Sequence, residues 1–273
     1  MATRRLRGYE CLGMLTIELE HDERGEGPCV ALLHGHPFTR SMWQPQLEVL
    51  GERFRVVAPD LRGYGESPAT PGVTTMRELA DDVWSLLDRR GVADAAVVGL
   101  SMGGLVAMEM ALAHPDRTWA LGLVATTAQP ISDGERYERE VMADRVEAAG
   151  MAPLVDSMAP RLFGPDPDSQ IVERVLEMMS NNNPRGSAAA LRGRANRPDH
   201  RAALRELDTP SFVCTGACDV WSTEDVTREL VGCLRSPRTL TLPDVGHLPN
   251  LERPLAFNKS LGDFLDEAWR ARG

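Results

Sequence analysis

Ser101 stands where a short apolar run gives way to a helical pattern, a position suited to a nucleophile. Residues 95–104 read Ala-Ala-Val-Val-Gly-Leu-Ser-Met-Gly-Gly, and the pattern from Leu105 to Ala113 predicts a helix. A Gly-x-Ser-x-Gly turn between strand and helix holds the serine hydroxyl above the sheet edge, where helix N–H groups favour a developing oxyanion. The alternative is a glycine-rich turn with an incidental serine. The flanking strand and helix favour the nucleophile.

A serine hydroxyl is a weak nucleophile, so the chain must also supply a histidine base and an acid that orients it. In enzymes with this turn the chain order is serine, acid, histidine. Of the six histidines, only His247 follows a strand-like run near the C-terminus, residues 238–242. The preceding strand-like run, residues 211–215, leads into a loop that contains Asp219. The predicted catalytic residues are therefore Ser101, Asp219 and His247.

Three other carboxylates compete with Asp219 for the role of the acid. Glu224 and Asp225 are weaker candidates, because the pattern puts them in the next helix. Asp244 is close to His247 in sequence, but it precedes the loop glycine and is expected only to shape the turn. Asp219 remains the prediction, because it alone directly follows a strand between the serine and the histidine.

The oxyanion of a tetrahedral intermediate needs N–H donors. Met102 supplies one backbone N–H directly after the serine, and His36 is predicted to supply the second from the loop His34-Gly35-His36-Pro37. Pro37 has no N–H to give, and Gly35 allows the chain to turn. His34 is expected to shape this loop through bonds to the backbone. His34 and His36 could instead form a metal pair, but no third ligand stands at metal spacing, so no metal is predicted.

These residues together resemble the α/β-hydrolase superfamily over nearly the whole chain. The matching segments are residues 34–37, Pro-Asp-Leu-Arg-Gly-Tyr-Gly-Glu-Ser at 59–67, Gly-Leu-Ser-Met-Gly-Gly at 99–104, Gly-Ala-Cys-Asp at 216–219, Gly-His-Leu at 246–248 and Asn-Leu-Glu-Arg-Pro at 250–254. Residues 99–104 and 145–151 most resemble the 3-oxoadipate enol-lactonase-like esterases and lactonases. Such relatives often carry an aromatic or small residue where His36 stands, so its imidazole could alter substrate preference or hydrogen-bond a substrate oxygen.

Strand and helix signals alternate along the first half, which predicts an α/β fold with a mostly parallel central sheet and helices on both faces. An alternating stretch at 14–20 predicts a half-exposed strand, and a capping box from Thr75 to Glu78 opens a helix that ends at Arg90. Residues 1–128 and 201–273 are expected to form the hydrolase core. Residues 129–200 carry no strand signal and are expected to form an inserted helical cap, with helices at 133–149, 152–162, 169–180 and 186–195.

The predicted cap contains two groups of residues that could meet a substrate. Its methionines, at 142, 151, 158, 178 and 179, could line an acyl pocket, but each is better explained as part of the cap's own core. The arginine-rich stretch from 192 to 201 could bind an anionic substrate, although a solvated helix face is the favoured interpretation. Charge reversal at Arg192, Arg194 and Arg197 would distinguish a substrate-binding stretch from a solvated helix face.

The net charge, the apolar runs and the cysteine count of the chain limit the kinds of partner and location that are expected. A formal net charge of −10 argues against nucleic acid or an anionic membrane as a partner, and no apolar run is long enough to span a membrane. An odd number of cysteines and the absence of a signal-like apolar core predict a reducing, cytoplasmic location. The partner is expected to be a small-molecule ester or lactone substrate. No cofactor is predicted, and homo-oligomers are possible.

Three function classes fit these residues. The first is a serine hydrolase of carboxylic esters or lactones, acting through an acyl-enzyme at Ser101. The second uses the same three residues for carbon–carbon bond hydrolysis, thioester hydrolysis or cofactor-free perhydrolysis. The third is a non-catalytic ligand-binding protein, which the complete set of Ser101, Asp219 and His247 disfavours. Fold alone does not separate the first two classes.

Overall fold

The computed structural model describes residues 17–272 of the chain. A seven-stranded sheet has the order β1-β3-β2-β4-β5-β6-β7, and only β1 runs antiparallel to its neighbour. The strands are β1 His21–Arg24, β2 Cys29–Leu33, β3 Arg55–Pro59, β4 Ala95–Leu100, β5 Thr118–Val124, β6 Ser211–Gly216 and β7 Arg238–Leu242. The predicted mostly parallel sheet is confirmed.

Buried strand residues alternate between two hydrophobic cores, because successive side chains of a strand point to opposite faces of the sheet. In β2, Val30 and Leu32 join a core on one face, whereas Ala31 and Leu33 join the core on the other. All five residues of β2 are buried, as expected of a central parallel strand. Helices must therefore cover both faces, and the parallel strands all end at one edge.

Eleven α-helices lie within the described residues 17–272. Around the sheet they are α1 Gln44–Leu50, α2 Met76–Arg89, α3 Met102–Ala113, α8 Arg201–Glu206, α9 Glu224–Val231, α10 Pro249–Glu252 and α11 Pro254–Arg270. Between β5 and β6 the chain forms α4 Asp133–Ala149, α5 Ala152–Met158, α6 Ser169–Ser180 and α7 Pro184–Arg194. We refer to residues 129–200 as the helical segment. Its helix positions agree closely with those predicted, and the Thr75–Glu78 capping box opens α2 as expected.

The strand expected at 14–20 is wrong for the residues the structure describes. Residues 17–20 are not in a strand, and residues 14–16 lie outside the described range. The edge strand instead begins at His21 and pairs with β3, His21 opposite Pro59. Its side chains are at most half-buried, so hydrophobic alternation gave no signal there.

Helix α7 approaches the body of the protein backbone to backbone. The Thr74 N–H donates to the carbonyl oxygen of Ala189 at 3.0 Å. A Cβ atom at Gly193 would collide with the carbonyl oxygen of Thr74, so only glycine permits this approach. The contact fixes the position of α7 relative to the sheet, and with it the side chains that α7 presents.

Candidate active site

Ser101 occupies a sharp turn between β4 and α3, with φ 53° and ψ −110°. This strained conformation is held by two backbone hydrogen bonds: the Ser101 N–H donates to Val124 O at 2.8 Å, and the Thr126 hydroxyl donates to Ser101 O at 2.8 Å. A Cβ atom at Gly103 would collide with the carbonyl oxygen of Leu33, so a side chain there is excluded. Ser101 itself is partly exposed. The turn therefore has the geometry predicted from the Gly-x-Ser-x-Gly pattern.

Asp219 and His247 come from loops after adjacent parallel strands, β6 and β7, and meet at the same sheet edge. The Nδ1 atom of His247 lies 2.8 Å from Oδ2 of Asp219, and both residues are buried. The second carboxylate oxygen of Asp219 accepts the backbone N–H of Trp221 at 2.9 Å. With Nδ1–H donated to Asp219, a neutral His247 ring leaves Nε2 free to accept a proton.

The carboxyl group of Asp219 stays ionised despite its burial. Burial alone would raise its pKa, but the charge of His247 and hydrogen bonds from His247, Trp221 and Ser222 hold the pKa below its usual value. Asp244 is exposed, with φ 55°, and Glu224 and Asp225 lie in the first turn of α9. Only Asp219, of the four candidate carboxylates, is hydrogen-bonded to His247.

Glu252, in α10, fixes the loop that carries His247, and sequence reasoning gave it no role. Its two carboxylate oxygens accept the backbone N–H groups of Gly246 at 3.0 Å, Leu248 at 3.1 Å and Gly164 at 2.7 Å. Gly164 belongs to the helical segment, so one side chain joins both regions. The only sequence signal was the segment 250–254, noted as typical of relatives.

Of the two predicted oxyanion donors, Met102 directly follows the serine, and His36 lines the same cavity as Ser101. Neither the His36 nor the Met102 backbone N–H donates a hydrogen bond to any residue in the described range 17–272. The His36 side chain is buried, with Nδ1 2.6 Å from the Tyr64 hydroxyl and Nε2 without a partner. Burial, with the charges of Arg194 and Arg139, keeps the pKa of His36 well below its usual value, so the ring is neutral.

His34 has a structural environment that differs from that of His36. Its Nε2 accepts the Leu61 N–H at 2.9 Å, so its Nδ1 carries the proton and donates to Gly35 O at 2.9 Å. Both nitrogens are therefore bonded to backbone, as expected of a loop-shaping histidine. No group of three or more His, Cys, Asp or Glu side chains among residues 17–272 is arranged to hold a metal ion.

Ser101 and His247 line one cavity of about 230 Å³. The sheet-edge loops and helix ends contribute His36, Ser101, Leu105, Ala125, Thr126, Thr127, Trp221, Ser222, Val226 and His247. The helical segment contributes Gln129, Glu135, Arg139, Leu154, Met158, Arg161, Leu191, Arg194 and Arg197. Met158 is the one methionine among these residues, and Met151 and Met179 are buried in hydrophobic cores. The favoured interpretation of the methionines as core thus applies to Met151 and Met179.

The expectation of a solvated arginine face is wrong for two of its three arginines. Arg192 points outward and pairs with Glu147 and Asp144, at 2.8 Å each. Arg194 and Arg197 instead line the cavity, and Arg139 from α4 joins them there. Sequence reasoning missed Arg139, because its position on the inner side of α4 follows from how α4 packs on α7.

No helix between residues 17 and 272 combines sufficient length with sufficient apolar character to cross a membrane.

Three relatives resemble this chain over most of its length. The protein 3-oxoadipate enol-lactonase 2 of Acinetobacter baylyi is 30% identical to this chain, over 81% of this chain and 82% of its own length. A thermophilic esterase from Thermogutta terrifontis, solved with malate bound, has TM-score 0.90 and 36% identity, covering 92% of this chain and 94% of its own. The enol-lactonase from Burkholderia xenovorans LB400 has TM-score 0.83 and 30% identity, covering 92% and 97%.

A model of the alpha/beta hydrolase family matches residues 30–260. The match spans the strands from β2 to β7 and the loops that carry Ser101, Asp219 and His247. It agrees with the sheet order and with the resemblance seen in the sequence. This chain therefore belongs to the alpha/beta hydrolase family.

Proposed function

We propose that this protein is a serine hydrolase that cleaves a carboxylic ester or lactone through an acyl-enzyme at Ser101. The observation that carries the proposal is the buried 2.8 Å contact between Asp219 and His247, in a cavity that Ser101 also lines. The names of its relatives, an esterase and two enol-lactonases, support a carboxylic ester bond as the bond that is broken.

In the first half-reaction, Ser101 Oγ attacks the carbonyl carbon while His247 Nε2 takes the hydroxyl proton. Asp219 accepts Nδ1–H and stabilises the imidazolium as it forms. The tetrahedral intermediate then expels the alkoxide, which takes the proton from His247 and leaves the acyl group on Ser101. In a lactone the leaving alkoxide remains tethered to the acyl group.

In the second half-reaction, a water molecule replaces the alcohol. His247 takes a proton from the water, the hydroxide attacks the acyl carbon, and Ser101 leaves with the proton returned to its oxygen. The backbone N–H groups of His36 and Met102, which have no acceptor among residues 17–272, are the proposed donors to the oxyanion in both steps.

We infer also that the helical segment acts as a cap that selects the substrate. The segment supplies nine of the residues that line the cavity around Ser101, yet it interrupts no strand. Its side chains can therefore vary without disturbing the sheet edge on which Ser101, Asp219 and His247 depend.

The test uses the two serines that line the cavity, Ser101 and Ser222. Ser101→Ala is expected to lower kcat on an ester by about 10⁶-fold with the fold intact, since it removes the nucleophile. Ser222→Ala is the matched control and is expected to stay close to the unaltered protein. A fluorophosphonate probe should label Ser101, as mapped by mass spectrometry. Unchanged turnover in Ser101→Ala, or labelling at Ser222 instead, would contradict the proposal.

A further inference from the structure

The cavity beside Ser101 contains guanidinium groups that lack the partners such groups normally have. The side chain of Arg194 makes no hydrogen bond or ion pair with any residue in the described range 17–272, and its Nε is buried without a partner. The Nη1 atom of Arg139 is also buried and unpartnered, and the other terminal nitrogen, Nη2, makes only a long ion pair of 3.9 Å with Glu135 Oε1. Arg197 uses its Nε to donate to the carbonyl oxygen of Gln129 at 3.0 Å.

Burying a cation without a counterion is costly, so an anion bound in the cavity would stabilise Arg194 and Arg139. Burial, with the charges of Arg139 and Arg197, lowers the pKa of Arg194 to about 9. Burial and Arg139 similarly lower the pKa of Arg197 to about 10. Glu135 is the one carboxylate among the described residues that line the cavity, and it also accepts two hydrogen bonds from Ser132. The cavity is therefore short of negative charge.

Arg192 shows that this shortage is specific to the cavity. It precedes Arg194 by two residues, which is about 200° around a helix, so the two side chains leave α7 on opposite sides. The outer arginine is paired with Glu147 through two hydrogen bonds and with Asp144 through a third, all at 2.8 Å. Among residues 17–272, the outer arginine has two acidic partners, whereas the side chain of the inner one has none.

We propose, on the basis of the proposed function, that the substrate bears a free carboxylate that binds Arg139 and Arg194 while its ester or lactone carbonyl lies at Ser101. A guanidinium presents N–H donors in a planar fork that matches the two oxygens of a carboxylate. The ligand class is thus a half-ester or lactone of a small dicarboxylic acid. Its charge supplies the counterion that Arg194 lacks among residues 17–272.

The probes are the monomethyl and dimethyl esters of succinate, glutarate and adipate, which differ at each length only in one carboxylate. The unaltered protein is expected to give a higher kcat/KM with at least one monomethyl ester than with its dimethyl partner. Arg194→Met and Arg139→Met should each lower kcat/KM on that monomethyl ester by about 10- to 100-fold, since each removes a charged hydrogen bond. The dimethyl ester should change by less than about threefold, and the control Arg192→Met should affect neither.

Binding is measured separately from turnover by calorimetry, with the same monomethyl ester and Ser101→Ala. Adding Arg194→Met to this variant should weaken binding of the monomethyl ester by a factor similar to the expected fall in kcat/KM. Adding Arg192→Met should leave this binding unchanged. Loss of this difference, preference for the dimethyl ester at all three lengths, or an equal fall on both esters in Arg194→Met would overturn the carboxylate site. Activity retained by Ser101→Ala would instead overturn the serine mechanism, and the calorimetric difference would still decide the arginines.

Discussion

The sheet edge and the helical segment both line one cavity, and Asp219 and His34 at the sheet edge are more completely hydrogen-bonded than the inner arginines of the helical segment. At the sheet edge, both oxygens of Asp219 accept hydrogen bonds, and both nitrogens of His34 are bonded to backbone. In the helical segment, Arg194 and the Nη1 atom of Arg139 have no partner among residues 17–272.

This difference separates two tasks. The proposed acid has both oxygens hydrogen-bonded, and the proposed base is anchored to it through Nδ1, so both are already oriented before substrate arrives, which lowers the reorganisation needed in the transition state. Unpaired cations gain their partner only when a ligand enters, so they contribute to the choice of ligand. Changes at the sheet edge should therefore affect all substrates alike, whereas changes in the helical segment should discriminate between charged and neutral ones.

The largest effect expected from a conservative change at the sheet edge is that of Asp219→Asn. The amide can hold His247 in the wrong tautomer and does not stabilise the imidazolium, so kcat should fall by about 10⁴-fold. Charged and neutral esters should lose the same factor. The fall in kcat is measured by steady-state kinetics on one charged and one neutral ester, and circular dichroism verifies that the variant is folded.

Asp244→Asn is the matched control, because Asp244 is nearer to His247 in sequence than Asp219 is, yet it is exposed and makes no hydrogen bond to the ring. It should change kcat by less than about threefold. A severe loss in Asp244→Asn with a mild one in Asp219→Asn would reverse the assignment of the acid.

The positions of the sheet-edge residues could be predicted because local sequence determines them. Buried strands are continuous apolar runs, and parallel strands bring the loops that follow them to one edge, so Ser101, Asp219 and His247 follow from strand order. The geometric meeting of Asp219 with His247 matches that prediction. The roles of the three residues stay proposals until they are tested by substitution.

The chemistry of the helical segment could not be predicted to the same extent. Helix limits follow from capping residues and from helix-breaking residues such as proline and glycine. The limits predicted in this way are close to the observed helix limits. Whether Arg194 faces solvent or the cavity depends on how α7 packs, and the approach at Gly193 that fixes this involves Thr74, far away in sequence. Arg139 lies on a separate helix. Glu252 accepts hydrogen bonds from backbone N–H groups. Nearly every residue has such a group, so no pattern of side chains in the sequence indicates this role.

A change of pH should act on the two sides of the cavity differently. Because burial lowers the pKa of Arg194 to about 9, this cation loses its charge as the pH rises above that value. The charged or titratable groups nearest to it are Arg139, Arg197, Tyr64, Glu135 and His36. For a carboxylate-bearing ester, kcat/KM should then fall by up to about tenfold per pH unit, while that of its neutral diester should not.

The measurement is kcat/KM for both esters from pH 7 to 10.5, corrected for spontaneous hydrolysis. Arg194→Lys offers a comparison, because the usual pKa of an amine is lower than that of a guanidinium and the same burial lowers it further, so the fall should begin at a lower pH. A parallel fall on both esters would assign the titration to the sheet edge instead and would remove the distinction between the two sides.

The smallest effect is expected where the two regions are joined, at Glu252. Glu252→Gln keeps the shape but offers one accepting oxygen, so the backbone N–H of either Gly164 or Leu248 must face an amide donor, and that of Gly246 keeps one of its two acceptors. The free energy of unfolding should fall by about 1.5–3 kcal/mol, and kcat by less than about tenfold, because the loop that carries His247 loosens. Thermal unfolding and kinetics measure both, with Glu206→Gln on an exposed helix as the control. If Glu252 acts by positioning this loop, kcat should fall on charged and neutral esters alike. A loss confined to charged esters would show that Glu252 acts through the arginines of the helical segment rather than through His247.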